Sequence, residues 1–158
     1  MTVVFEDFFR EEFANLAALG AAMSGSVEAG QDAAQDAMAR ALDRWPVVSE
    51  HENPRAWVRR VMANLLVDRH RSSDAESRAW SRVPLPDSVG EPRFDRWAEL
   101  VAPLPVRQRM AVTLFYGEDL SVEAIASMLG VSAGTVKSLL AKGRRTLSER
   151  LGEEVRNV

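Results

Sequence analysis

The stretch LSVEAIASMLGVSAGTVKSLLAKGRRTL, residues 120–147, decides how the rest of the chain is read. Ile125, Ala126 and Leu129 recur at the spacing of a short amphipathic helix, Gly130 interrupts it, and Ser132 stands where a second helix would begin. Each residue type has a mechanical use. Ala126 lets two helices cross closely, Gly130 tolerates positive φ, and the Ser132 hydroxyl can accept from the orphan amides of the second helix. At about 100° per residue that helix gathers Val136, Leu139, Leu140, Gly143 and Leu147 on one side, and Gly134, Lys137, Ser138, Ala141 and Arg145 on the other. The outer side is basic and unobstructed, which suits a helix lying in a DNA major groove. A merely basic surface helix is the alternative. The joint presence of turn, cap, small crossing residue and an acid-free face argues against it.

Working outward, helical spacing begins at Glu99 and continues over residues 106–116, 122–129 and 133 to about 151. Upstream, residues 72–98 carry Ser72, Ser73, Pro84, Pro86, Gly90 and Pro92, which read as a linker, although Trp80, Phe94 and Trp97 hint at docking or a short helix. Phe5, Phe9, Phe13, Leu16 and Met23 mark a first amphipathic helix that Gly25 and Ser26 punctuate. Ser26 caps a second helix to about Trp45, closed by Pro46, with Ala34, Met38, Ala41 and Leu42 inward and Asp32, Gln35, Asp36 and Arg40 outward. Asn53 before Pro54 starts a third helix to about Arg71. No segment alternates like a strand, so the expected fold is all-α. It comprises two small helical domains, 1–71 and 99–158, joined by a flexible linker over 72–98.

Composition excludes several chemistries. Apolar residues make up 46 % and charged residues 27 %, a globular balance. With no cysteine and only His51 and His70, there is no disulfide framework, thiolate metal site or cysteine nucleophile, and a zinc site would need scattered carboxylates. No GxSxG elbow or phosphate-binding glycine loop is present, so neither an enzyme nor a cofactor is expected. The apolar run Leu16 to Met23 is too short to span a bilayer and follows the acids Glu6 and Asp7, which reads as a cytoplasmic protein without membrane insertion. The net charge of −3 hides an uneven distribution. Residues 1–53 hold three arginines against ten acids, 54–71 hold five arginines against Asp68 alone, and 132–145 hold four basic residues against none.

The third helix carries a second constellation. Trp57, Val58, Val61, Met62 and Leu65 form its expected buried stripe, with Arg60, Asn64, Val67 and Arg71 along the edge. An amide between guanidinium groups can read a base edge while its neighbours hold phosphates; a solvated arginine edge explains the same residues equally well. Trp45 and Trp57 likewise divide between core and stacking platform.

Taken together, these residues resemble the extracytoplasmic-function group of the sigma-70 family of bacterial RNA polymerase sigma factors. Leu104-Pro105-Val106-Arg107-Gln108-Arg109, Ile125-Ala126 and Gly134-Thr135-Val136-Lys137-Ser138 look like the family's region 4. Asp32 to Met38 resembles the core-binding helix of region 2, and Ala56-Trp57-Val58, Ala63-Asn64 and Asp68-Arg69 resemble its promoter-melting helix. The resemblance implies that Asp32, Gln35, Asp36 and Arg40 dock on the polymerase β′ coiled coil, and that the loop 47–52 with Arg60, Asn64 and Arg71 engages the −10 element. It further implies that Gly134, Thr135, Lys137, Ser138, Lys142 and Arg145 meet the −35 element, and that region 4 contacts the β flap. The expected partners are the RNA polymerase core, promoter DNA and an anti-sigma factor, since no regulatory domain follows residue 151. Ala33, Ala34 and Met38 stand where the family usually has larger apolar residues, so looser packing or compensation by the first helix's phenylalanines is expected. Leu139 falls where many members carry arginine. The competing reading is a helix-turn-helix transcriptional regulator with an N-terminal dimerisation or sensing domain.

Overall fold

The structure, a computed structural model, describes the backbone of residues 4–72 and 92–156 and the side chains of 4–72 and 96–152. Among these every regular element is helical, as the absence of period-two alternation predicts. Residues 73–91, with Trp80, Pro84 and Pro86 of the expected linker, lie outside the described residues, as does the Phe94 side chain.

Helix α1 (Phe5–Ser24) places Glu6 and Asp7 in its first turn, against the partial positive charge there, and ends at Gly25 with φ 77°. Ser26 caps α2 (Val27–Asp43), its hydroxyl accepting from Ala29 N at 3.1 Å. A two-residue corner thus makes an αα-hairpin whose arms touch backbone to backbone: a Cβ on Gly30 would lie 2.4 Å from Ala21 N. Ala33, Ala34, Ala37, Met38 and Ala41 line the buried side of α2. The small residues that predicted loose packing instead permit this close approach.

Two expectations fail here. Helix α2 stops at Asp43, and Trp45 and Pro46 begin a separate turn, α3 (Trp45–Val48), where Trp45 meets Phe5 and Phe8 at ring distances of 5.4 and 5.2 Å. Leu42, expected inward, is 53 % exposed, because the buried arc of α2 is filled by alanines one turn earlier. Phe8 is the buried member of the first phenylalanine pair, while Phe5, Phe9 and Phe13 are half-buried.

Helix α4 (Pro54–Ser72) starts as Asn53-Pro54 predicts, with Asn53 Oδ1 accepting from Ala56 N at 3.1 Å. Val58, Met62, Ala63, Leu66 and Val67 are buried, so the stripe is rotated from the expected one, and Val67 belongs to the interior.

Helix α5 (Pro92–Val101) occupies the end of the segment read as linker, realising the short helix that Trp97 hinted at. Helix α6 (Val106–Val112) widens into a π-helical turn over Thr113–Gly117, where the expected helix ran on unbroken. Trp97 Nε1 donates to Thr113 Oγ1 at 2.9 Å, tying α5 to that turn. Buried Arg109 closes the α5–α6 corner, donating from Nε to Val101 O (3.3 Å) and from Nη2 to Ala102 O (3.1 Å) and Leu104 O (2.9 Å). Those carbonyls stabilise a cation whose burial holds its pKa below the usual arginine value. Helix α7 (Val122–Leu129) and helix α8 (Ala133–Arg156) complete the chain. Helices α5 and α6 pack on α1, and α7 packs on α4, so the buried residues of both halves join in one core.

Candidate nucleic-acid interface

Two serines and a glycine fix the geometry of α7 and α8. Ser121 Oγ accepts from Ala124 N at 3.1 Å to start α7, Gly130 ends it at φ 70°, and Ser132 Oγ accepts from Thr135 N at 3.1 Å to start α8. The two axes meet at 104°, within the range of helix-turn-helix corners. Val136 and Leu140 anchor the inner side of α8, Leu139 packs at its margin, and Gly143 lets α6 approach so closely that a Cβ there would lie 2.6 Å from Val112 Cγ2. The glycine, cap and small crossing residue therefore do what their chemistry predicts.

With that side anchored, Gly134, Lys137, Ser138, Lys142 and Arg145 are all exposed. Thr135 is half-buried, its hydroxyl within 3.0 Å of Ser132 Oγ, so it braces the cap. Among the described residues no carboxylate forms an ion pair with Lys137, Lys142 or Arg145. Arg144 is also exposed and donates to Tyr116 OH at 3.3 Å; sequence reasoning left it off the face. Its position seven residues after Lys137, two helical turns on, is the signal that could have found it.

The α4 residues are used differently. Arg60 and Asn64 are exposed on one side of the helix. Arg71, also exposed in part, lays its guanidinium against the helix-turn-helix corner: a Cβ on Gly130 would meet Arg71 Nη2 at 2.6 Å and Cζ at 2.7 Å. Arg55 Nε pairs with buried Glu12 at 2.7 Å, and Arg69 pairs with Asp36. The adjoining loop exposes Val47 and His51, with His51 Nδ1 accepting from Asn53 N at 3.0 Å.

On α2, Asp32, Gln35, Asp36 and Arg40 all face outward, as expected. Asp36 is additionally held by Arg69, a link between the acidic face and α4 that spacing alone does not reveal. Among the described residues no group of three His, Asp or Glu side chains could hold a metal ion, and no single helix is long and apolar enough to cross a membrane. The site is therefore two separated polar faces and one arginine-bearing edge.

The family model for sigma-70 region 2 matches residues 8–76, and that for sigma-70 region 4 matches residues 94–147. The RNA polymerase sigma-E factor of Streptomyces coelicolor is 34 % identical over 119 residues, covering 73 % of this chain and 67 % of that protein. Its counterpart in Streptomyces avermitilis is 33 % identical, with 73 % and 66 % covered, so the chain spans about two thirds of these relatives' length. The ECF RNA polymerase sigma factor SigM of Mycobacterium tuberculosis is 36 % identical over 106 residues, covering 61 % of this chain and 51 % of that protein. Among solved structures, the sigma factor RpoE from Bartonella quintana, crystallised with the anti-sigma factor NepR, superposes with a TM-score of 0.59. That match covers 94 % of this chain and 96 % of the other at 22 % identity, a likeness of fold.

Proposed function

The chain belongs to the extracytoplasmic-function group of the sigma-70 family of RNA polymerase sigma factors, and from that premise we propose how its two domains divide promoter recognition. Helices α1–α4 form the domain for core polymerase and the −10 element. Helices α5–α8 form the domain for the −35 element. The boundary falls at α5, so the connecting segment is 73–91 and shorter than the 72–98 read from composition.

In this reading Asp32, Gln35, Asp36 and Arg40 meet the β′ coiled coil, the short acidic and amide side chains being complementary to a basic partner. Gly134, Lys137, Ser138, Lys142 and Arg145 line the groove-facing side of α8, with Thr135 bracing its start. Lysine and arginine bond phosphates, and Ser138 is the side chain suited to base edges. Arg60 and Asn64, with the loop 47–52, receive an unpaired base of the −10 element, while Arg71 supplies a phosphate contact. The β flap binds the α5–α8 domain. An anti-sigma factor is the controlling partner, a reading supported by the likeness of fold to RpoE, which was crystallised with the anti-sigma factor NepR. The protein acts in the cytoplasm, without membrane insertion and without catalysis of its own.

The observation that carries this reading is the order of two region matches on one chain, with the acid-free face of α8 left open. A helix-turn-helix regulator would share α7 and α8 but would have no reason to carry a region 2 match over residues 8–76. Run-off transcription with core polymerase and a promoter library tests it. Discrete start sites that appear only when the chain is added are expected. Failure to copurify with core polymerase, together with retained binding to specific duplex DNA, would favour the regulator.

A further inference from the structure

On α4 the residues Arg60, Asn64, Val67 and Arg71 follow one another at spacings of four, three and four, which places them along one side of the helix. That side changes character halfway. Arg60 and Asn64 are open to solvent, whereas Val67 is 1 % exposed and the Arg71 guanidinium rests on Gly130. Helix α7 packs on α4, and on the other flank α5 and α6 pack on α1. The helix-turn-helix domain therefore covers the C-terminal half of the edge that the proposed function assigns to the −10 element.

The consequence for reach is direct. Gly130 lies three residues before Ala133, where α8 begins, so the two proposed DNA-reading helices touch end to end. Two promoter sites about two helical turns apart are separated by roughly 70 Å. This arrangement cannot serve both. The contact that holds Arg71 is also of a releasable kind: a guanidinium plane lies on a glycine without a side chain, at the rim of the protein. Among the described residues no carboxylate pairs with Arg71. A phosphate offers the same group two parallel charge-assisted hydrogen bonds.

We propose that this packing is a closed state of the chain, in which Arg71 is a latch seated on the Gly130 turn, and that Arg71 exchanges this seat for a promoter phosphate when the domains separate. The closed state stands on the packing alone; the exchange rests on the sigma-factor reading above. Opening would expose Val67 and free the whole edge from Arg60 to Arg71.

Because the chain has no cysteine, Asp43→Cys with Glu149→Cys gives one label on each domain of the full-length protein at exposed positions outside the proposed interfaces. Distance measurements on the free, labelled protein should give one short, narrow population. Arg71→Ala and Arg71→Lys should each raise the open-to-closed ratio about five-fold, since lysine keeps the charge but has no plane to lay on the turn. A broad population of long distances without the substitution, or no change in either variant, overturns the closed state. These arms need neither DNA nor polymerase, so they fail independently of the sigma-factor reading. For the exchange, Arg71→Ala should lower the slope of log affinity against log salt on a premelted promoter fragment by about 0.7, the single-strand value for one phosphate, while Arg71→Lys preserves it. An unchanged slope in Arg71→Ala overturns the exchange.

Discussion

The two halves of the molecule bring helices together by different means. In the N-terminal half α1 and α2 touch main chain to main chain at Gly20 and Gly30, whereas in the C-terminal half the close approach at Gly143 is to a side chain, Val112. They also spend their basic residues differently. Arg55 and Arg69 of α4 are paired with Glu12 and Asp36, while Lys137, Lys142 and Arg145 of α8 pair with no acid among the described residues. One half is braced by its own charges. The other presents them outward.

The largest effect should come from the backbone crossing. Gly30→Ala would drive a methyl group against Ala21 N, Gly20 C and Ala17 O, none of which can rotate aside, so a loss of about 3 kcal/mol is expected in urea unfolding. Gly143→Ala should lose about 1 kcal/mol, because Val112 Cγ2 can shift and alanine favours the helix. Equal losses would erase the distinction between the crossings.

Next in size is the acidic face. Asp32→Lys with Asp36→Lys should weaken core-polymerase binding by about a hundredfold, or about 2.7 kcal/mol, through like charges facing a basic partner. The melt should move little, since the Asp36–Arg69 pair lies at the surface and such pairs contribute at most about 1 kcal/mol. Binding that survives the reversal would put the docking face elsewhere. Asn64→Ala should lose about 1 to 3 kcal/mol of base discrimination at one −10 position, read by transcription from single-base promoter variants. Exposed Asn64 supports no core, so its melt should be unchanged; unchanged base preference would mean another residue reads that base.

Smaller effects sharpen the charge contrast. Lys137→Ala and Arg145→Ala should each flatten the salt dependence of duplex binding by about 0.9 in slope, while Arg55→Ala, whose charge is already claimed by Glu12, should leave it alone. A slope change in Arg55→Ala as large as in Lys137→Ala would break the contrast. The smallest expected effect is at Asp119, which holds φ 57° in the turn before α7: Asp119→Gly should gain about 0.5 kcal/mol in thermal unfolding, and a loss would mean its side chain braces that turn.

What could be read from the sequence were features whose cause is local. A positive-φ glycine at position 130, hydroxyl caps at Ser26 and Ser132, and Asn53 before Pro54 each carry their reason within a few residues, and all are found. What could not be read depends on which distant segment arrives. Val67 is interior, Leu42 is exposed, and Arg71 is occupied because of how helices pack, and one-helix periodicity cannot say which arc a neighbour will cover. The π-helical turn escapes for a similar reason. It sits where Trp97, from a segment read as linker, binds Thr113.

Arg109 carries a consequence for the order in which the chain assembles. Its three carbonyl partners lie only eight, seven and five residues upstream, so the α5–α6 corner closes over a very short loop. Loop-closure entropy rises with loop length, and contacts of short sequence separation can form on the fastest timescales open to a chain. The packing of α5 and α6 on α1 and of α7 on α4, by contrast, joins segments from opposite sides of residues 73–91. The corner is thus a nucleus that needs nothing from the first domain, and the docking of the two domains is a late event laid over units that already hold their shape.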